Sequence, residues 1–308
     1  MRFLRLLLVS ALSAGCLHAQ AVQRPAITGI AHVSYFVSSL PKALDFWHGL
    51  LGFQVVATQD AERPGRGLAA SVIIHPGQRV ELFEGERLDP PGRMRELCFT
   101  VSDLKQMRSY LRAQKIAFTA VVVDGQQELA VEAPDRVRLE FVQGASQPQS
   151  AQAKDLQQAD ERISTGIFHV GFAVSDSVKA LDFYGKVLGF RETWRGSADG
   201  KQLSWINMRV PDGTDYIEFM LKPATDAKGL GSQNHVSLAV PNMEAAVAKL
   251  KASPAFARYP LPVVIRTGID RKRQVNLFDP DGTRVELMEP FTVDGKPAVS
   301  STAPVPAL

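Results

Sequence analysis

The feature that most constrains this chain is an internal repeat. Residues 32–54 read HVSYFVSSLPKALDFWHGLLGFQ and residues 169–191 read HVGFAVSDSVKALDFYGKVLGFR, with 12 of 23 positions identical at a constant offset of 137. The same offset carries Glu81 onto Glu218 without a gap. A chain of 308 residues is long enough for two domains with separate cores, and the repeat requires that they share one architecture.

Each half divides again. Glu96 to Val101 and His235 to Val240 look like further copies of the opening strand, and helical patterns follow at Leu104–Leu111 and Met243–Leu250. The matching endings are Pro134-Asp135-Arg136-Val137-Arg138-Leu139-Glu140 and Pro280-Asp281-Gly282-Thr283-Arg284-Val285-Glu286. The chain therefore reads as four modules, 29–84, 93–143, 166–222 and 232–290, each a strand, a helix and three strands (βαβββ). The fold class is α+β. The Gln- and Ala-rich stretch 144–165 is the expected linker, and residues 291–308, short and rich in Pro, Ala and Ser, are expected to form a disordered tail.

Within the third module, His169 to Val174 alternates with period two. Val170, Phe172 and Val174 share one face; His169, Gly171 and Ala173 share the other. A helix is predicted from Ser175 as N-cap to about Gly189, with Val178, Leu181, Phe183 and Tyr184 on its apolar stripe. The valine row should pack on that helix, which leaves the histidine row on the opposite side of the sheet.

The N-terminus has a different character. Arg2 and Arg5 precede the apolar run Leu6–Leu12 and then small residues up to Ala19, the order of a secretory signal, and the run is too short to span a bilayer. Residues 1–19 are thus expected to be a signal peptide on an exported protein, periplasmic or secreted. The run Leu12-Ser13-Ala14-Gly15-Cys16 also resembles a lipoprotein box, which makes Cys16 a candidate for lipid anchoring. Without residues 1–19 one cysteine remains, Cys98, so no internal disulfide can form. Lys plus Arg (35) nearly balances Asp plus Glu (32), which removes any electrostatic reason to expect nucleic acid as a partner. No integral membrane segment is expected in the mature chain, and a small-molecule substrate is.

Paired βαβββ modules, the opening His-Val-x-Phe-x-Val, the helix with Ala-Leu-Asp-Phe-Tyr, the Leu-Gly-Phe ending and Asp279-Pro280-Asp281-Gly282-x-x-x-Glu286 together resemble the vicinal oxygen chelate (VOC) superfamily. That group includes glyoxalase I, methylmalonyl-CoA epimerase, extradiol ring-cleaving dioxygenases and bleomycin-resistance proteins. The resemblance covers nearly the whole chain outside the signal, linker and tail. It implies two half-open, barrel-like domains, each built from two modules, with metal ligands on first and last strands facing inward. In the second half this carries over to His169, Glu218, His235 and Glu286. Imidazole nitrogens with carboxylate oxygens suit one divalent ion such as Fe, Mn, Ni, Co or Zn. Glu218 is the expected catalytic residue, as a fourth ligand or as the base that leaves the metal to take a proton.

Three of the five histidines outside the signal, His32, His169 and His235, stand at the opening-strand position. The first half carries His32, Glu81, Glu96 and Glu140 at the matching places. Glu96 replaces a histidine there, and several carboxylates around one cavity repel unless ions or protons compensate them. This second site is therefore expected to be degenerate. Cys98 shares the inward row and is expected to be inert; His48 and His75 are assigned no role.

Two catalytic templates and one binding template follow from the resemblance. A glyoxalase- or epimerase-like lyase or isomerase uses all four positions. Ala173, where glutathione-using members carry an arginine, and Lys222, where they carry an asparagine, argue against glutathione as cosubstrate. An extradiol-dioxygenase-like Fe(II) site needs only His169, His235 and Glu286, but Asn276 stands where that family has a tyrosine. A bleomycin-resistance-like binding protein would lack the ligands that are present here. The basic loop Arg266–Arg273 reads as a solvated loop.

Overall fold

The computed structural model describes residues 22–59, 68–85, 93–123, 126–144 and 162–306. The stretch expected to be a signal peptide, with Cys16, and most of the expected linker lie outside the described residues. The chain forms two eight-stranded sheets. In the first half the strands are β1 (Ile27–Val37), β2 (Gln54–Gln59), β3 (Leu68–His75), β4 (Gln78–Glu84), β5 (Met94–Val101), β6 (Thr119–Val123), β7 (Gln126–Glu132) and β8 (Arg138–Gln143). In the second half they are β9 (Gly166–Val174), β10 (Arg191–Gly196), β11 (Trp205–Arg209), β12 (Tyr216–Leu221), β13 (His235–Ala239), β14 (Arg266–Thr267), β15 (Lys272–Phe278) and β16 (Arg284–Thr292). The spatial orders, β2-β3-β4-β1-β5-β8-β7-β6 and β10-β11-β12-β9-β13-β16-β15-β14, are the same topology twice. Each half is therefore a pair of βαβββ modules curled into a half-barrel, and the two module-opening strands run side by side at its centre.

The helices sit as the pattern requires. α1 (Leu40–Leu44) continues as a π-helical stretch over Asp45–Leu50, and α3 (Ser177–Ala180) continues likewise over Leu181–Val187. Both end at a glycine with positive φ, Gly52 (73°) and Gly189 (80°), which closes the helix at little steric cost. The phenylalanine that follows, Phe53 or Phe190, is then turned into the core. The Leu-Gly-Phe signature is thus a helix stop plus a core anchor. Phe172 on β9 meets Tyr184 at 5.8 Å between ring centroids, so the valine row does pack on the helix. Val178 departs from expectation and is 61% exposed. The cap is Asp176, whose side chain accepts from the Lys179 N–H, and this start turns Val178 outward while burying Ser177.

The two halves share one continuous core. α2 (Leu104–Ala113) of the second module meets the third-module helix, where the Tyr110 hydroxyl donates to the Val187 carbonyl at 2.6 Å, and Phe99 sits edge-on to Phe190 at 5.3 Å. The first-module helix meets the short 3-10 turn Pro254–Arg258 that follows α5 (Met243–Ala252), α4 being Ala227–Gln233. There the Ser253 hydroxyl donates to the Gly49 carbonyl at 2.7 Å. Among the described residues no helix is long and apolar enough to cross a membrane.

The tail corrects the sequence expectation. The described residues beyond β16 lie along the edge strand β10 and the loop after it. Ser301 N–H donates to the Arg195 carbonyl, Leu203 N–H to the Pro304 carbonyl, and the Trp194 indole to the Val299 carbonyl at 3.2 Å. A segment too polar for a core of its own can still be held by the unpaired backbone groups of a sheet edge.

Asp215 bridges the halves by accepting from Ile30 N–H (2.9 Å) and the Gln78 amide (3.1 Å). Burial outweighs these bonds and pushes its carboxyl up to about 6. Because the folded value lies above the unfolded one, ionisation disfavours the fold. Stability contributed by this group is complete below about pH 4, falls as pH rises toward 6 and is constant above. Asp215→Asn keeps the acceptor and removes the charge. Urea unfolding at pH 8 should show the variant about 1–2 kcal/mol more stable, after discounting for the partial exposure of the position, with the difference gone below pH 4. A variant less stable than the parent at pH 8 would contradict this.

Candidate metal centre

The site lies on the face of the second sheet turned away from the helix. His169 from β9 and Glu218 from β12 are held by parallel pairing that sets Tyr216 opposite His169 and Glu218 opposite Gly171. Antiparallel pairing sets His235 of β13 opposite the same Gly171, and β16 brings Glu286 opposite Ser237. Gly171 is required there, because a Cβ would fall inside the His235 imidazole.

The Nε2 atoms of His169 and His235 are 3.0 Å apart. A Glu218 oxygen lies 4.0 Å from His169 Nε2 and 3.7 Å from His235 Nε2, and a Glu286 oxygen lies 3.4 Å from His169 Nε2. His169, Glu218 and His235 form a set whose donor atoms are all within 4.8 Å of one another. Glu286 touches this set through His169. All four predicted residues of the second half are therefore brought together, with Glu218 nearer the centre than Glu286.

Both imidazoles are fully buried, and burial, reinforced by the positive charge of Arg284, holds both well below the ordinary histidine range. They are neutral, the ligand form. His235 Nδ1–H donates to the Gln233 carbonyl at 2.8 Å, which fixes the tautomer and leaves Nε2 as the acceptor, where the Arg284 guanidinium donates to it at 2.9 Å. Burial also raises both carboxyls above the ordinary carboxylate range, Glu218 up to about 8 with help from the neighbouring Glu286 charge. One Glu286 oxygen is buried with no hydrogen-bond partner. Neutral nitrogens and poorly compensated carboxylates facing one point fit a divalent cation.

Two residues at the site were not singled out from sequence. The Tyr216 ring stacks on His169 with centroids 4.5 Å apart, and an Arg284 nitrogen lies 2.9 Å from His235 Nε2. Each stands two positions before a predicted carboxylate and so shares its face; the period-two pattern contains both. A cavity of about 220 Å³ opens on Glu218, Arg284 and Glu286 between Trp194, Trp205 and Asn276. Part of the basic loop, Arg266 to Asp270, lines it too, so that loop is not simply solvated.

In the first half the set is split. His32, Glu81 and Glu96 come together, while Glu140 groups with His32, Cys98 and Glu128. Arginines supply most of the compensating charge. Arg79 pairs with Glu81 at 2.6 Å, and Arg138 pairs with Glu140 at 2.7 Å and with Glu96 at 3.5 Å. Glu96 is pushed up to about 8 by burial and Glu140. Burial and Glu140 likewise push Glu128 up.

The sequence profile of the Glyoxalase/Bleomycin resistance protein/Dioxygenase superfamily matches residues 29–141 and again residues 166–287. The chain belongs to this superfamily. Among solved VOC-type structures, the 2,3-dioxygenase LapB from Pseudomonas sp. KL28 superposes with a TM-score of 0.67 at 17% identity, covering 92% of this chain and 99% of its own. An extradiol ring-cleaving dioxygenase from B. fuscum gives 0.66 at 16%, with 92% and 77% covered. Homoprotocatechuate 2,3-dioxygenase from Brevibacterium fuscum, in complex with 3,4-dihydroxyphenylacetate, gives 0.64 at 16%, with 92% and 86% covered. At these identities the likeness is one of fold. No curated protein matches the sequence.

Proposed function

We propose that this protein is a divalent-metal-dependent VOC enzyme of the lyase or isomerase type, moving a proton beside a substrate oxygen. The observation that carries this reading is Glu218, partly buried at 3.7 and 4.0 Å from the two imidazole nitrogens and pushed up to about 8. His169, His235 and Glu286 would hold the ion, which supplies Lewis-acid polarisation of a substrate bound through adjacent oxygens. Glu218 is then the group that takes the proton from carbon and returns it, since a carboxylate poised near neutrality can both accept and donate. Arg284, on the same strand face as Glu286, stabilises negative charge that develops on the substrate oxygen. Trp194 and Trp205 flank the cavity and limit it to a small molecule, or to the reacting end of a larger one. The N-terminal pattern supports an exported enzyme, with lipid attachment at Cys16 as a variant of that placement.

A second reading, an Fe(II) extradiol-type oxygenase, is favoured by the four-module likeness to LapB over nearly its whole length. It is weakened by Asn276, which pairs with Glu286 across β15 and β16 and has no ionisable proton to supply. Incubating the Zn-, Co- or Ni-loaded protein in deuterated water with small α-hydroxycarbonyl compounds tests the first reading. Deuterium should enter at the carbon beside the carbonyl. Oxygen uptake on catechols by the Fe(II)-loaded protein, without such exchange, would select the second.

A further inference from the structure

The first domain is more than a relic of the second. We infer that it holds a separate, closed site for a borderline divalent ion of the zinc class, formed by His32, Cys98, Glu128 and Glu140. The ligand atoms of these four residues lie within 4.8 Å of one another, and each residue is at most 2% exposed. They come from four adjacent strands. His32 on β1 stands opposite Cys98 on β5, Cys98 opposite Glu140 on β8, and β7 contributes Glu128.

The buried polar atoms point to a ligand. Neither ring nitrogen of His32 has a hydrogen-bond partner, and one Glu128 oxygen is equally orphaned. Nε2 of His32 stands 3.8 Å from carboxylate oxygens of Glu81 and Glu140, too far for a hydrogen bond. Nδ1 thus has no partner at all, and Nε2 has only these longer carboxylate contacts, so a fully buried imidazole is left without a hydrogen bond at either nitrogen, an arrangement that an ion accepting its lone pair would relieve. One nitrogen, one sulfur and two carboxylate oxygens are each ligand types that borderline ions accept, and four of them match the coordination number of a closed site. Glu140 is already oriented by Arg138 on its other oxygen.

This site is not a copy of the one in the second domain. Position by position, His32 and Glu140 match His169 and Glu286, but Cys98 and Glu128 stand where the second half has Ser237 and Gln274. Glu81 and Glu96, the counterparts of Glu218 and His235, are engaged by Arg79, Ser34 and Arg138. The ligand set has therefore moved one row along the sheet, away from the residues that face substrate in the second half. With no such residue at it and no exposure, its role is structural. Loading releases the protons of Cys98 and Glu128 to solvent as thiolate and carboxylate form.

The test uses the full chain with Cys16→Ser, so that Cys98 is the one thiol, equilibrated with Co(II) alone. About two equivalents should bind, with a thiolate-to-cobalt charge-transfer band in the near ultraviolet. Cys98→Ser should abolish the band and lose about one equivalent, while His235→Ala should keep the band. Glu128→Gln, nearly isosteric and so safe for folding, should weaken the banded site at least about tenfold. Absence of the band in the Cys16→Ser parent overturns the inference without reference to any other variant, as does a band that survives Cys98→Ser. If the parent binds one ion, with the band, and His235→Ala changes nothing, this site stands and the proposed metal in the second domain fails.

Discussion

Glu218→Gln is expected to leave the fold and the bound ion in place while slowing proton transfer by about 10²–10⁴-fold. Glutamine keeps an oxygen at the same distance from the histidines but cannot carry the proton. The loss should fall on kcat, because substrate oxygens would still be held by the ion and by Arg284. Deuterium exchange into bound substrate would fall in parallel. A variant that loses the ion instead would make Glu218 a structural ligand. One that retains full exchange would remove it from the chemistry altogether. The environment supports the first outcome: burial and the Glu286 charge hold this carboxyl near neutrality, the range in which a base can also return its proton.

Gly171→Ala is expected to dismantle the centre from behind. The added methyl would fall inside the space of the His235 ring, only 2.8 Å from Nε2, on a strand fixed by pairing on both sides. The backbone cannot retreat, so the imidazole must swing away. Metal affinity should drop by at least about 10–100-fold, as when a ligand loses its orientation. The cost to folding should stay near 1–3 kcal/mol, the usual range for one extra methyl in a packed site. Calorimetric titration with zinc, paired with urea unfolding, separates the two effects. Unchanged affinity would mean that His235 does not ligate.

Why so much of this was readable from sequence lies in the repeat. A period-two strand that places His169 and Val170 on opposite faces leaves no choice about which row meets the helix. Four copies of that strand, one opening each module, then set the two openers of each half side by side at the centre of its sheet. Tyr216 and Arg284 share a face with Glu218 and Glu286, but a stacking ring and a guanidinium are not ligand types, so their spacing alone assigns them no place at the site. Glu128 was hidden for another reason. It follows two glutamines on β7, and only the β7–β8 register, with Glu128 opposite Val142, turns it toward His32. Val178 failed because the start of the helix at Asp176, one residue later than Ser175, rotates the first turn. The tail reads from composition as disordered, and nothing in its sequence shows otherwise. Its hydrogen bonds run from backbone to the backbone of an edge strand, a contact with almost no side-chain signature.

The most direct test of the central claim is the metal content of the purified protein after equilibration with excess zinc and removal of free ion. The account predicts that His235→Ala carries about one equivalent less than the parent, with the circular dichroism spectrum unchanged. Equal metal content in parent and variant, both correctly folded, would contradict it.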